Sequence, residues 1–125
     1  MVYPGRMADT SHALSTSVLK ERLEAAFPSL LEELTQLVAI PSVSSDPAHA
    51  ADVERSAEHI RERFAALGLQ AKVLRETAED GTEGKPALVA HTPHIEGAPT
   101  VLLYAHHDVQ PVGELDRWSM DPYKA

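Results

Sequence analysis

The sequence predicts an α/β fold, a mixed sheet flanked by helices, and three observations carry that expectation. Two stripes of apolar residues at three- and four-residue steps occupy the first half of the chain, the spacing of two amphipathic helices. Three short apolar runs bounded by turn residues follow them. The last run, Val101 to Ala105, has no polar alternation and fits a strand buried on both faces. The order helix, helix, strand, strand, strand reads as helices packed on a sheet.

Residues 1–16 are small, polar and aperiodic, and read as a flexible N-terminal arm in which His12 is solvated. Met7 is a second candidate start. From Ser17, an expected N-cap, Leu19, Leu23, Phe27, Leu30, Leu34 and Leu37 form the first stripe, expected in the core. Pro28 interrupts it. Proline inside a helix costs about 3 kcal/mol, so a kink is expected there, or a second helix starting at Pro28. Pro41 and its flanking serines end the helix in the turn Ile40-Pro41-Ser42-Val43-Ser44.

Asp46-Pro47 has the form of an N-cap followed by proline in the first helical position. Val53, Ala57, Ile60, Phe64 and Leu67 then step by four and three, leaving Asp52, Glu54, Arg55, Glu58, Arg61, Glu62 and Arg63 on a solvated face with His59 at the boundary. Gly68 is the expected C-cap. Ala71 to Thr77 and Pro86 to His91 are the first two strands, and a connection of roughly eight residues suits an antiparallel pair. No internal repeat, low-complexity block or domain linker is visible, so residues 17–125 read as a single body of structure.

Composition narrows the function. Nineteen acidic against eleven basic residues leave a net charge of −8, which argues against a nucleic-acid partner and an anionic membrane surface. An apolar fraction of 43% opposes global disorder. There is no cysteine, so disulfides and thiolate metal sites are excluded. No stretch nears the roughly 18 apolar residues of a membrane span, and no apolar signal region opens the chain. Cytoplasmic is the expected compartment.

The chemistry begins where the third strand should stop. In TVLLYAHHDVQP, Thr100 to Pro111, alternation along a strand points His106 and Asp108 to one face and His107 to the other. An imidazole beside a carboxylate at a strand's C-terminal end suits a zinc site: one ring nitrogen takes the metal, and the other needs an acceptor to fix its tautomer. Asp108 could be that acceptor or a ligand itself; a solvated pair capping a strand is the plainer alternative. His91 and His94, three apart in a proline-flanked loop, read as exposed. There is no nucleophile elbow, Walker loop or dinucleotide fingerprint.

AHHDVQP followed by Trp118-Ser119-Met120-Asp121-Pro122-Tyr123 resembles the zinc peptidase family of carnosine dipeptidase, aminoacylase, acetylornithine deacetylase and succinyl-diaminopimelate desuccinylase (the M-twenty peptidases). That family shows GH-x-DVQP or GH-x-DVVP, a short acidic loop and W-x-x-DPF. Here Ala105 replaces the glycine and Tyr123 the phenylalanine, while Gln110 favours the dipeptidase branch. The IPSVS turn matches as well. The resemblance runs over residues 17–125, with its specific part in 100–123.

It implies the N-terminal portion of a dizinc hydrolase catalytic domain, in which His106 binds one zinc and Asp108 supports that imidazole. It further implies a glutamate general base, a small peptide or N-acyl amino acid substrate, and allows a homodimer. The family's bridging aspartate, in a GRG-x-x-D segment, and its Glu-Glu pair would follow Ala125. The chain as given is therefore expected to be an inactive fragment in which the second zinc site is not formed. The competing readings are a non-enzymatic remnant or binding module on the same scaffold, and an unrelated small α/β enzyme using His106, His107 and Asp108 differently.

Overall fold

The computed structural model describes residues 15–124. His12, Met7 and most of the expected arm lie outside them; Ser15 and Thr16 already open the first helix. The chain divides into two compact units, Met1–Glu33 and Leu34–Ala125.

Helix α1 runs without interruption over Thr16–Val38. Its N-cap is Ser15, two residues before the expected Ser17: the Ser15 hydroxyl accepts from the Val18 amide at 3.4 Å. The break expected at Pro28 is absent. Proline removes the usual helix partner of the Glu24 carbonyl, yet the strong helix formers around it carry the backbone through. At the next residue, the Ser29 hydroxyl donates to the Ala26 carbonyl at 2.8 Å. The second correction concerns the stripe, which does not reach a core. No residue of α1 is buried, and Leu19, Leu23, Phe27, Leu30 and Leu34 are all exposed. Periodicity reports which face a helix would bury; a burying partner has to come from elsewhere.

The second unit holds the core. Asp46 caps as expected, its carboxylate accepting from the Ala48 amide at 2.9 Å, with Pro47 opening a single 3-10 turn over Pro47–His49. Helix α2 follows directly over Ala50–Ala66. Val53 and Ala57 are buried at 2% and 0% exposure, and Ile60 and Phe64 are half-buried, so the upper part of the stripe does face the core. Leu67 lies past the helix and is exposed. Gly68 then turns the chain with φ +82, a conformation that strains a residue with a Cβ.

Strands β1, Gln70–Leu74, and β2, Ala87–His91, form an antiparallel pair in which Gln70 faces His91 and Leu74 faces Ala87. Both alternate exposed and half-buried residues, as a sheet with one covered face must. Helix α2 supplies that cover, packing on both strands, and an ion pair from Arg75 to Glu54 ties the end of β1 to it. The connecting loop is tightened by the Thr77–Glu83 bridge and by the Gly84 amide, which donates to the Glu76 carbonyl at 2.7 Å. A Cβ on Gly84 would stand 3.0 Å from that same oxygen.

The third strand is not formed. Val101, Leu102, Leu103 and Tyr104 are 75%, 89%, 88% and 91% exposed in irregular chain without ladder partners among the described residues. A strand apolar on both faces needs neighbours on each edge and cover on each side, and the described residues offer neither. The α/β class holds, with a sheet of two strands rather than three. A parallel pairing does occur, as the isolated bridge between Val43 and Val109.

Candidate metal centre

The bridge between Val43 and Val109 positions the site. The turn after α1 lies against residues 107–109, and four groups hold it there. The Val109 amide donates to the Ser42 carbonyl at 3.1 Å, and the Ser42 hydroxyl donates to the His107 carbonyl at 3.1 Å. Val43 is buried, 3% exposed, beside them, and the Ser44 hydroxyl donates to Asp108 Oδ2. The turn serines that end a helix in the sequence are thus the clamp on the His-His-Asp segment.

His106 and Asp108 face each other. His106 Nδ1 lies 3.0 Å from Asp108 Oδ1 and 3.0 Å from the Asp108 carbonyl. Both oxygens can only accept, the carboxylate being ionised, so Nδ1 carries the hydrogen, and in the neutral ring Nε2 keeps the lone pair. The imidazole side chain is 73% exposed, and nothing among the described residues hydrogen-bonds Nε2. A ring nitrogen with a free lone pair, opposite a nitrogen held by carboxylate, is what a metal-ligating histidine presents.

The hydrogen bond from Ser44, with that from His106 behind it, holds the Asp108 carboxyl below its ordinary value of 3.8, against a smaller upward push from burial. A depressed carboxylate stabilises the fold at full strength above its unfolded value and loses that contribution as pH falls through the folded one. The protection of the Val109 amide, one residue away, relative to its intrinsic exchange rate should therefore fall as pH drops below 3.8. Asp108→Asn should remove that acid step when exchange is followed by NMR; a step of equal size in the variant would show that the acid response comes from other groups.

His107 turns the other way. Its Nδ1 is 3.1 Å from the Ser56 hydroxyl of α2 and its Nε2 donates toward the Pro86 carbonyl at 3.4 Å. This second histidine pins the segment to α2 and to the start of β2. Ser56 is wholly buried on the same face as Val53 and Ala57, and sequence reasoning passed over it because it is the polar residue within an apolar stripe. Ser44 was equally invisible as a site residue. Its partner lies 64 positions on, and no local pattern reports such a contact.

His91 and His94 do not join the site. Both are exposed, and His91 Nδ1 donates to the neighbouring Thr92 carbonyl at 3.1 Å. Among the described residues no three His, Cys, Asp or Glu side chains come together as a metal site. His106 with its orienting carboxylate thus fits one corner of such a site. The motif residues downstream shape the floor of a shallow apolar groove of about 260 Å³, lined by Val38, Val109, Pro111, Trp118 and Tyr123 among others. Trp118 donates its indole N–H to the Val112 carbonyl at 2.8 Å, and Asp121 Oδ1 accepts from the Tyr123 amide at 3.0 Å. In this unit those residues fold a turn.

No family model matches the chain. It is 30% identical over 121 residues to a Cys-Gly metallodipeptidase of Candida albicans, covering 91% of this chain and 25% of that protein. Over 95 residues it is 34% identical to a succinyl-diaminopimelate desuccinylase of Parvibaculum lavamentivorans, covering 76% of this chain and 22% of that one. A solved structure of a di-peptidase from Saccharomyces cerevisiae superposes with a TM-score of 0.74 at 26% identity, over 83% of this chain and 23% of that chain. The chain therefore spans about a quarter of the length of the curated relatives it matches. Its helices and small antiparallel sheet correspond to part of the di-peptidase fold. No described helix is long and apolar enough to cross a membrane.

Proposed function

We propose, from the premise that this chain is homologous to part of the metallodipeptidases, that it supplies one metal ligand, His106, and its orienting carboxylate, Asp108, to a metal-dependent dipeptidase site. The observation that carries the reading is the geometry of the pair. Asp108 holds the hydrogen on Nδ1 and leaves Nε2 open and exposed.

Zinc, two ions in the complete site, is the metal proposed; bound there it would polarise a substrate carbonyl and acidify a water. The residues of this chain prepare that chemistry. Asp108 sets the tautomer and ring plane of His106, while the partial charge it lends the imidazole raises its basicity as a ligand. Ser42, Ser56 and Pro86 fix the His107 backbone and ring, so that the neighbouring His106 projects from an anchored segment. The proposed substrate is a small peptide or N-acyl amino acid, in a cytoplasmic protein that acts without nucleic-acid or membrane partners; a homodimer is compatible with it.

One ligand does not hold zinc tightly, because affinity comes from several deprotonated donors held in one geometry. The 125-residue chain alone is therefore expected to bind zinc weakly, without defined stoichiometry, and to leave dipeptides intact. Equilibrium dialysis against buffered free zinc, paired with a dipeptide assay, tests this. Two tightly held ions with chelator-sensitive cleavage would show a complete site in this chain; His106 resonances unmoved by zinc would remove His106 from the ligand set.

A further inference from the structure

We propose that Ser44 is a positioning residue of this site, its hydroxyl fixing the plane of the Asp108 carboxylate so that His106 is kept in the Nδ1–H tautomer with Nε2 open. The proposal rests on the reading of His106 as a ligand and deepens it.

The terminal torsion of an aspartate is broad and roughly two-fold, so the carboxylate plane is soft unless something holds it. Here one hydrogen bond reaches each oxygen: Ser44 donates to Oδ2 and His106 donates to Oδ1. Asp108 is partly buried, with 29% of its side chain exposed, whereas His106 is mostly in solvent. The anchored end of the relay is therefore the serine. Ser44 is itself fixed by the backbone around it, since Val43 bridges Val109 and Ser42 bonds to both His107 and Val109. Without the hydroxyl the carboxylate can rotate, and Nδ1 is left with the neutral Asp108 carbonyl at 3.0 Å, a weaker acceptor than the charged carboxylate, so the preference for Nδ1–H falls.

The test reads the ring rather than turnover. Imidazole nitrogen shifts of His106 are recorded by NMR in the whole 125-residue chain, at a pH where the ring is neutral, for the native sequence, Ser44→Ala, Ser44→Thr and Ser44→Val. Threonine and valine share a branched shape and differ by the hydroxyl, and the Val109 amide resonance reports whether the clamp is still folded. The native chain and Ser44→Thr should show the Nδ1–H tautomer, while Ser44→Ala and Ser44→Val should show a mixture with Nε2–H, the Val109 amide unchanged. An unchanged tautomer in Ser44→Val with the clamp intact overturns the proposal, as does equal loss in the threonine and valine variants. A zinc titration of the native chain separates the two readings. If added zinc leaves the His106 ring shifts unmoved while the tautomer still depends on the Ser44 hydroxyl, the ligand role falls and the contact stands. If zinc shifts them and the serine has no effect, the positioning role alone falls.

Discussion

In any polypeptide that joins this chain to a complete set of metal ligands, replacing His106 by alanine should abolish the dipeptide hydrolysis proposed for that site. The loss should far exceed the cost of Asp108→Asn, for which the roughly 10–100-fold penalty of disturbing a ligand's hydrogen-bond partner is expected. The structural argument is that His106 does little else. Its side chain is 73% exposed and its ring bonds only within its own turn, to Asp108. Removing it should therefore leave thermal stability and circular dichroism near native, whereas a histidine acting as packing would lower both. Hydrolysis at a near-native rate in the metal-loaded His106→Ala protein would end the ligand assignment. Asp108→Asn adds a finer check. An asparagine can still offer an oxygen to Nδ1, so most of the tautomer preference should survive while the charge is lost.

The second large effect is association. Val101, Leu102, Leu103 and Tyr104 form four consecutive apolar side chains, 75–91% exposed, on irregular backbone without backbone hydrogen bonds among the described residues. Such a segment is a template for pairing with another copy and an apolar patch at once. The 125-residue chain is expected to self-associate at micromolar concentration despite its charge of −8. Leu102→Lys with Tyr104→Lys should restore a monomer in sedimentation velocity, because two charges in one short segment oppose stacking and cost no buried contact here. A native chain that is monomeric across that range, with a cooperative unfolding transition, would show that the segment is covered in solution.

The same segment marks the limit of what the sequence discloses. Its unbroken apolarity correctly says that it suits burial on two faces, and the α1 stripe says the same of one helical face. Neither says whether the covering elements are among these residues. Where the partners are local, the reading succeeds. Asp46 caps within two residues, Gly68 closes α2 within its last turn, and β1 and β2 pair across one loop. His106 and Asp108 are two residues apart, and they meet as the alternation expected, although no strand forms there. Ser44 and Ser56 contact residues 64 and 51 positions away, and both read as a turn former and a polar helix residue.

Those separations set the order in which the molecule assembles. Bringing residues about 64 apart into contact costs roughly 4 kcal/mol of chain entropy beyond a constant term, while one intramolecular hydrogen bond returns about 1 kcal/mol net. No single bond between the Ser42–Ser44 turn and residues 107–109 can hold that loop closed. The Ser42 hydroxyl, the Ser42 carbonyl and the Ser44 hydroxyl engage the same short segment, so all three draw on one closure. They form together or not at all. The Ser44 bond that steadies Asp108 beside His106 therefore belongs to that shared closure, whereas the contacts of α2 and the hairpin lie closer along the chain.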